Sequence, residues 1–240
     1  MTQSVIQFVS ADVTTSASAT SLAFGSNTTP GSTLLAVTLT NFTNMGATPI
    51  ADTQSNTWAL VQIAQSAAGP GNQSLHVYAA YNTVGGANTV TANYATPTTV
   101  RPLLLLEVGP CAISPLDGAN NSDQTSPGTG AGAVVSGFAT NLNAVALALG
   151  FSMPIFVTTP PAAVAPYASV GTFWSASGST GRCESQVLSA SASQQATFTT
   201  TLGTTEHLSL LVILDALGSA TLPPYAPPTQ FFVNEVYLQQ

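Results

Sequence analysis

The chain has no lysine, and two arginines, Arg101 and Arg182, are all of its permanent side-chain cations. Charged residues occupy 5% of the 240 positions, against about 25% in ordinary soluble domains. A nucleic-acid backbone is gripped by many Lys and Arg that displace its counterions, and an anionic membrane surface calls for similar basic clusters. Two arginines supply neither, so nucleic acid and membrane are excluded as partners. Solubility has to come from Ser, Thr, Asn and Gln. The net charge of −7 arises from nine scattered acids, giving a mild self-repulsion that keeps free molecules dispersed.

Long hydrophobic runs are missing too. The longest weakly polar stretch, Leu142 to Val157, holds 16 residues and is broken by Asn143, Gly150 and Pro154; a spanning helix needs about 20. Met1-Thr2-Gln3-Ser4 has no basic segment and no apolar core, so no signal peptide is expected, and the expectation is cytosolic synthesis without export. Cysteine is scarce: Cys111 and Cys183 are too few for a disulfide framework. They read as buried small hydrophobes, or as one bridge if the fold brings their Cα atoms within about 7 Å.

The patterning that is present belongs to β structure. Leu34–Leu39, Leu75–Tyr78 and Leu103–Val108 are short apolar runs bounded by Pro, Gly, Asn or Thr, the signature of strands rather than helices. No sustained 3.6-residue stripe occurs, and Gly85–Asn88 and Gly178–Gly181 read as turns. The expected fold is all-β, a two-sheet antiparallel β-sandwich of jelly-roll type over 1–220. The rhythm of apolar runs recurs, with pseudo-repeats at about 30–110 and 140–218; Glu107 and Asp215 each close a four-residue aliphatic run, 108 positions apart. Two such halves would lay their strands into one sandwich, since each alone leaves an apolar sheet face open. The polar segment Ser114–Gly132 reads as a loop between them. Residues 221–240 differ in character: Leu222–Pro228 reads as an extended proline-rich linker. Beyond it Phe231, Phe232, Val236, Tyr237 and Leu238 form an apolar arm, which either folds back on its own body or joins a neighbour's sheet edge.

Asp52-Thr53-Gln54-Ser55-Asn56-Thr57-Trp58, Val77-Tyr78, Gly85-Gly86-Ala87-Asn88-Thr89-Val90, Leu103–Glu107 and Ser114–Gly118 together resemble a jelly-roll-type β-sandwich module of phage structural proteins and bacterial surface proteins. The resemblance covers roughly Val5 to Leu217 and rests on turn and core signatures. It implies an attached, non-catalytic module. Members on secreted bacterial proteins usually carry export signals and companion domains, and the lack of both here favours the phage setting.

Catalytic constellations are thin. His76 and His207 are the imidazole bases available, and neither G-x-S-x-G nor a Cys-His neighbourhood occurs; both fit strand positions. Glu107 and Asp215 are the obvious carboxylate pair for glycoside cleavage, yet their matching places at strand ends are explained by structure alone. No catalytic residue and no cofactor are assigned. Calcium has one weak candidate in Asp117, Asn120 and Asp123, whose oxygens would suit a flexible loop, although Asp/Asn/Gly clusters are ordinary turn composition. Trp174 and Tyr81 are the candidate platforms for sugar, while Trp58 and Tyr167 read as core anchors.

The expectation is a non-enzymatic virion structural protein, a capsid-decoration or tail-associated subunit, held by its arm to other virion subunits or copies of itself. The alternative is a carbohydrate-binding adhesion module that recognises a cell-surface glycan. A glycosidase acting through Glu107 and Asp215 is the third and weakest reading.

Overall fold

The computed structural model of the chain describes residues 3–11, 13, 15–41, 44–65, 73–124, 133–141, 145–154, 159–175, 179–200 and 207–216, with backbone alone for 120–124, 133–141, 174–175, 179 and 200. The strands of the first half are β1 (Ser4–Ala11), β2 (Ala17–Ala23), β3 (Thr33–Asn41), β4 (Met45–Asp52), β5 (Trp58–Gln65), β6 (Gln73–Ala80), β7 (Thr89–Thr98) and β8 (Leu103–Gly109). The second half supplies β9 (Cys111–Gln124), β10 (Ala133–Asn141), β11 (Ala146–Pro154), β12 (Ala162–Ala163), β13 (Ala168–Ser175), β14 (Ser179–Leu188), β15 (Ala192–Thr200) and β16 (His207–Ala216). No helix occurs among the described residues.

The antiparallel β-sandwich expected from the sequence is formed, and it is formed twice. In the first half a five-stranded sheet, β1-β8-β3-β6-β5, faces a three-stranded sheet, β2-β7-β4. In the second half the sheets run β9-β16-β11-β14-β13 and β10-β15-β12. Adding eight to each strand number of the first pair gives the second pair. Where the sequence reading laid both halves into one pair of sheets, the described residues thus make four layers, with the two five-stranded sheets back to back in the middle.

Three apolar cores separate these layers. Leu34, Ala36, Leu103 and Leu105 point into the first half's own sandwich with Tyr78, Val90 and Tyr94. The alternate residues of the same strands, Leu35, Val37, Leu104 and Leu106, point the other way, against Leu147, Leu149, Leu210 and Val212 of the second half. Leu211 and Ile213 close the third core with Phe198 and Tyr167. Strands β3, β8, β11 and β16 are therefore buried on both faces, which is why they read as unbroken apolar runs where a half-exposed strand would alternate. A buried Leu or Ile contributes about 1.5–3 kcal/mol over its exposed state, so the middle interface is a core in its own right. Edge strand β1 packs on β13, and β5 on β9. The first contact is close: a Cβ at Gly171 would stand 2.5 Å from Phe8 Cζ.

Ser114–Gln124, read from the sequence as loop, belongs to strand β9, which pairs along β16. Its Asp, Asn and Ser disfavour strands intrinsically, but β9 is an edge strand and the long apolar β16 beside it supplies the ladder. The turn motifs behind the family resemblance meet in space. Asp52 Oδ1 accepts the Asn56 backbone N–H at 2.9 Å and Asp52 Oδ2 accepts Asn88 Nδ2 at 3.0 Å, while Gln54 Nε2 donates to the Ala87 carbonyl at 2.6 Å. The β4–β5 turn and the loop before β7 are clamped to one another in this way.

Candidate functional site

The first half hands over to the second in a tight passage, Gly109-Pro110-Cys111, between β8 and β9. A groove of about 490 Å³ opens there. Ile6, Pro30, Pro110 and Ile113 give its apolar lining and Ser4, Ser32 and Asn82 its polar one. No charged side chain lines it among the described residues.

Each wall has a local cause. Ile6 sits at a bulge in edge strand β1, between the pairs Val5–Val108 and Gln7–Glu107, and is 47% exposed. A Cβ at Gly109 would lie 3.0 Å from Ile6 Cδ1, so glycine leaves Ile6 its place. The turn at Thr29–Ser32 is held from below: Glu107 Oε1 accepts the Thr29 N–H at 2.6 Å, and Glu107 Oε2 accepts Gln7 Nε2 at 2.5 Å. Pro30 lies on Gly85, where a Cβ would be 2.6 Å from the Pro30 nitrogen and where φ is +83°; only glycine fits both demands. Ile113, on β9, is 75% exposed.

The far side of the groove joins the two termini of the described chain. Gln3 Nε2 donates to Cys111 Sγ at 2.9 Å and to the Asp215 carbonyl at 3.2 Å. Cys111 stands opposite Ala216, the last described residue. The Cys111 thiol is buried, and burial pushes its pKa up, so it stays protonated and a poor nucleophile. Cys183 is likewise a free, buried thiol with its pKa raised by burial; the two do not form a bridge.

The other residues singled out in the sequence lie apart from this groove. His76 is buried, with its Nε2 2.7 Å from Ser74 Oγ, and burial lowers its pKa to about 4. This Ser–His pair, two residues apart on β6, was not picked out by motif. A nucleophile–base pair needs a third group to orient the base, and His76 Nδ1 has no hydrogen-bond partner among the described residues. His207 opens β16, buried, with its pKa also lowered by burial to about 4. Glu107 lies on the first five-stranded sheet and Asp215 on the second.

Asp117, Asn120 and Asp123 are positions on strand β9 rather than on a loop. Among the described residues no group of three or more His, Cys, Asp or Glu is placed to hold a metal ion. Tyr81 is half-buried and packs against the middle core, with its hydroxyl buried. Trp174 lies on edge strand β13 opposite Thr180, described as backbone only. Trp58 packs against the first half's inner core and Tyr167 lies within the second's. Phe231, Phe232, Val236, Tyr237 and Leu238 fall outside the described residues.

Comparison of the chain with family models, curated proteins and solved structures returns no match.

Both arginines donate to neutral oxygens, Arg101 from a buried position and Arg182 from a partly exposed one. Arg101 donates to the carbonyls of Thr15 and Ala19 and, at 2.9 Å, to Thr20 Oγ1, while Arg182 donates to the Pro161 carbonyl at 2.8 Å and to Ser169 Oγ at 2.6 Å. The groove therefore offers apolar contact, hydroxyls and an amide, and neither arginine lines it. Such a surface suits an uncharged, apolar chain segment rather than an anion or a polar metabolite.

Proposed function

We propose that the chain is a non-enzymatic structural protein of a virion, a capsid-decoration or tail-associated subunit held to its neighbours by the C-terminal arm. The observation that carries this reading is where the chemistry-bearing side chains lie. Glu107 is fully buried and braces a turn, His76 and His207 are buried in strands, and Cys111 and Cys183 are core thiols. Arg101 and Arg182 hold backbone carbonyls. Groups that would act on a substrate are thus parts of the frame. The surface is left largely to short neutral side chains, which lose less rotamer freedom than Lys, Arg or Glu when surfaces pack together. That composition favours repeated subunit contact, and the jelly-roll resemblance of the turn motifs points the same way.

Immunogold labelling of particles from cells that express the chain tests the reading. The full chain is expected on the particles, whereas a chain lacking Pro223–Gln240, shown to be folded by circular dichroism, stays in the soluble fraction. Incorporation of the truncated chain at the normal level, or particles that never carry label, overturns it. Binding to a glycan array that is abolished by Trp174→Ala or Tyr81→Ala would move the function to adhesion instead.

A further inference from the structure

We propose that Gln3 and Cys111 close an internal thioester, and that the groove at the β8–β9 passage admits a primary amine that opens this bond and becomes joined to the chain. The inference goes beyond a structural role and does not depend on a virion setting.

The two groups are held together by the fold. Gln3 Nε2 lies 2.9 Å from Cys111 Sγ and 3.2 Å from the Asp215 carbonyl, although 108 positions separate Gln3 from Cys111 in the chain. Both side chains are buried, Gln3 completely. Fixing a thiol and an amide in this way turns a bimolecular encounter into an effectively unimolecular step. Two buried atoms, Gln3 Oε1 and Thr33 Oγ1, have no hydrogen-bond partner among the described residues, and Thr33 stands beside the same thiol. A buried amide oxygen without a donor is costly. The carbonyl of a thioester is a weaker acceptor, so closing the bond relieves that cost.

The chemistry balances without an oxidant or reductant. Cys111 Sγ adds to Gln3 Cδ, the Cδ–Nε2 bond breaks, and the nitrogen leaves as ammonia with its own two hydrogens and the thiol proton. Retention of that proton by the buried thiol slows attack on solutes, but it supplies what the leaving nitrogen needs. Ammonia released to water is protonated and diluted, which draws the step forward. In the opening step an amine adds to Cδ, the C–S bond breaks, an amide forms on the Gln3 side chain, and Cys111 recovers its proton. Cys111 lines the groove, whereas Gln3 is fully buried and does not. The bond is thus shielded from water and approached from the sulfur side. With no charged side chain in its lining among the described residues, the groove favours a neutral amine on an apolar stem, the chemistry of a lysine of another protein. The chain itself has no lysine, and arginine stays protonated, so no side chain of any copy competes for the bond.

Intact-mass spectrometry of the full chain decides the matter. The protein is expected to be one ammonia lighter than its sequence, with a single thiol, Cys183, open to N-ethylmaleimide in denaturant at mildly acid pH. Fragmentation is expected to link Gln3 to Cys111, and Gln3→Glu and Cys111→Ala are each expected to keep their full sequence mass. Incubating the folded protein with n-butylamine, which copies the lysine stem, is expected to add one butylamine at Gln3 and to free the Cys111 thiol. Full sequence mass with two reactive thiols overturns the bond, as does an ammonia loss that persists in Cys111→Ala. A bond that forms but resists n-butylamine in the folded protein overturns the groove as its entrance. None of these readouts involves particles, so failure here and failure of the virion reading are distinguishable.

Discussion

Glu184 on β14 stands directly opposite Gly150 on β11, in the layer between the two sheets of the second half. A Cβ on Gly150 would come within 3.0 Å of Glu184 Cγ and 2.7 Å of Ala196 Cβ, so the absent side chain makes space for the carboxyl. Glu184 is fully buried, and neither carboxyl oxygen has a hydrogen-bond partner of good geometry among the described residues. Burial pushes its pKa from 4.5 to about 8, against the opposing influence of the Val164 and Thr197 backbone and the Arg182 guanidinium.

This placement makes stability depend on pH. The folded state keeps the Glu184 proton where the unfolded chain has lost it, so no penalty exists below pH 4.5; it grows up to about pH 8 and is constant above. At pH 7 the cost is roughly 3 kcal/mol, from about 1.4 kcal/mol per pKa unit. Glu184→Gln is expected to be the more stable protein at pH 7–8 and equal to the parent near pH 4. Urea midpoints across that range check it; parallel curves for the two proteins would refute the assignment.

The histidines act in the opposite sense. The pKa values of His76 and His207 are both lowered by burial from 6.5 to about 4. The unfolded chain therefore takes up protons before the folded one, and stability present above pH 6.5 is lost as pH falls toward 4. Combined with Glu184, this places the stability maximum near pH 6–7. Replacing both histidines by Gln is expected to flatten the acid limb of a melting-temperature profile and leave the alkaline limb unchanged.

Phe173 lies across Gly181 on the neighbouring strand β14, and a Cβ there would stand 2.4 Å from Phe173 Cζ. Phe173 belongs to the middle core and has nowhere to retreat. Gly181→Ala is expected to cost about 1–3 kcal/mol by overpacking, read as a lower denaturant midpoint at unchanged slope. The double variant Gly181→Ala/Phe173→Leu is expected to recover part of the loss.

Glu107→Gln replaces one accepting oxygen with a donor where the Thr29 N–H or the Gln7 amide already donates. Loss of a buried charge-assisted bond is expected to cost about 1.5–3 kcal/mol. Because Glu107 accepts the Thr29 N–H, the same change is expected to speed hydrogen exchange at the Thr29 amide, measured by NMR well below the melting temperature. Unchanged exchange at Thr29 would refute the brace.

Much of the frame was legible in the residues. The short apolar runs became strands, and the spacing of Glu107 and Asp215 marks matching rungs: Leu34 lies between Ala80 and Glu107, as Ala146 lies between Leu188 and Asp215. The four-layer stack was also written in the unbroken runs Leu103–Leu106 and Leu211–Leu214, which a sheet with one wet face does not need. Strand β9 was hidden because its Asp, Asn and Ser carry turn preferences, while its pairing comes from a partner about 100 residues away. The groove left no linear trace. It is assembled from residues near 4–6, 29–32, 82 and 109–113, brought together only by the ladders of β1, β8 and β9.

The back-to-back central sheets make neither half a self-contained body. Severed at Pro110, each fragment would show water a bare wall of Leu and Val. The halves behave as the two subunits of an obligate dimer that happen to share one polypeptide, and the tether raises their mutual concentration beyond anything dilution can undo. Separation of the pair is thus not a step open to the intact chain.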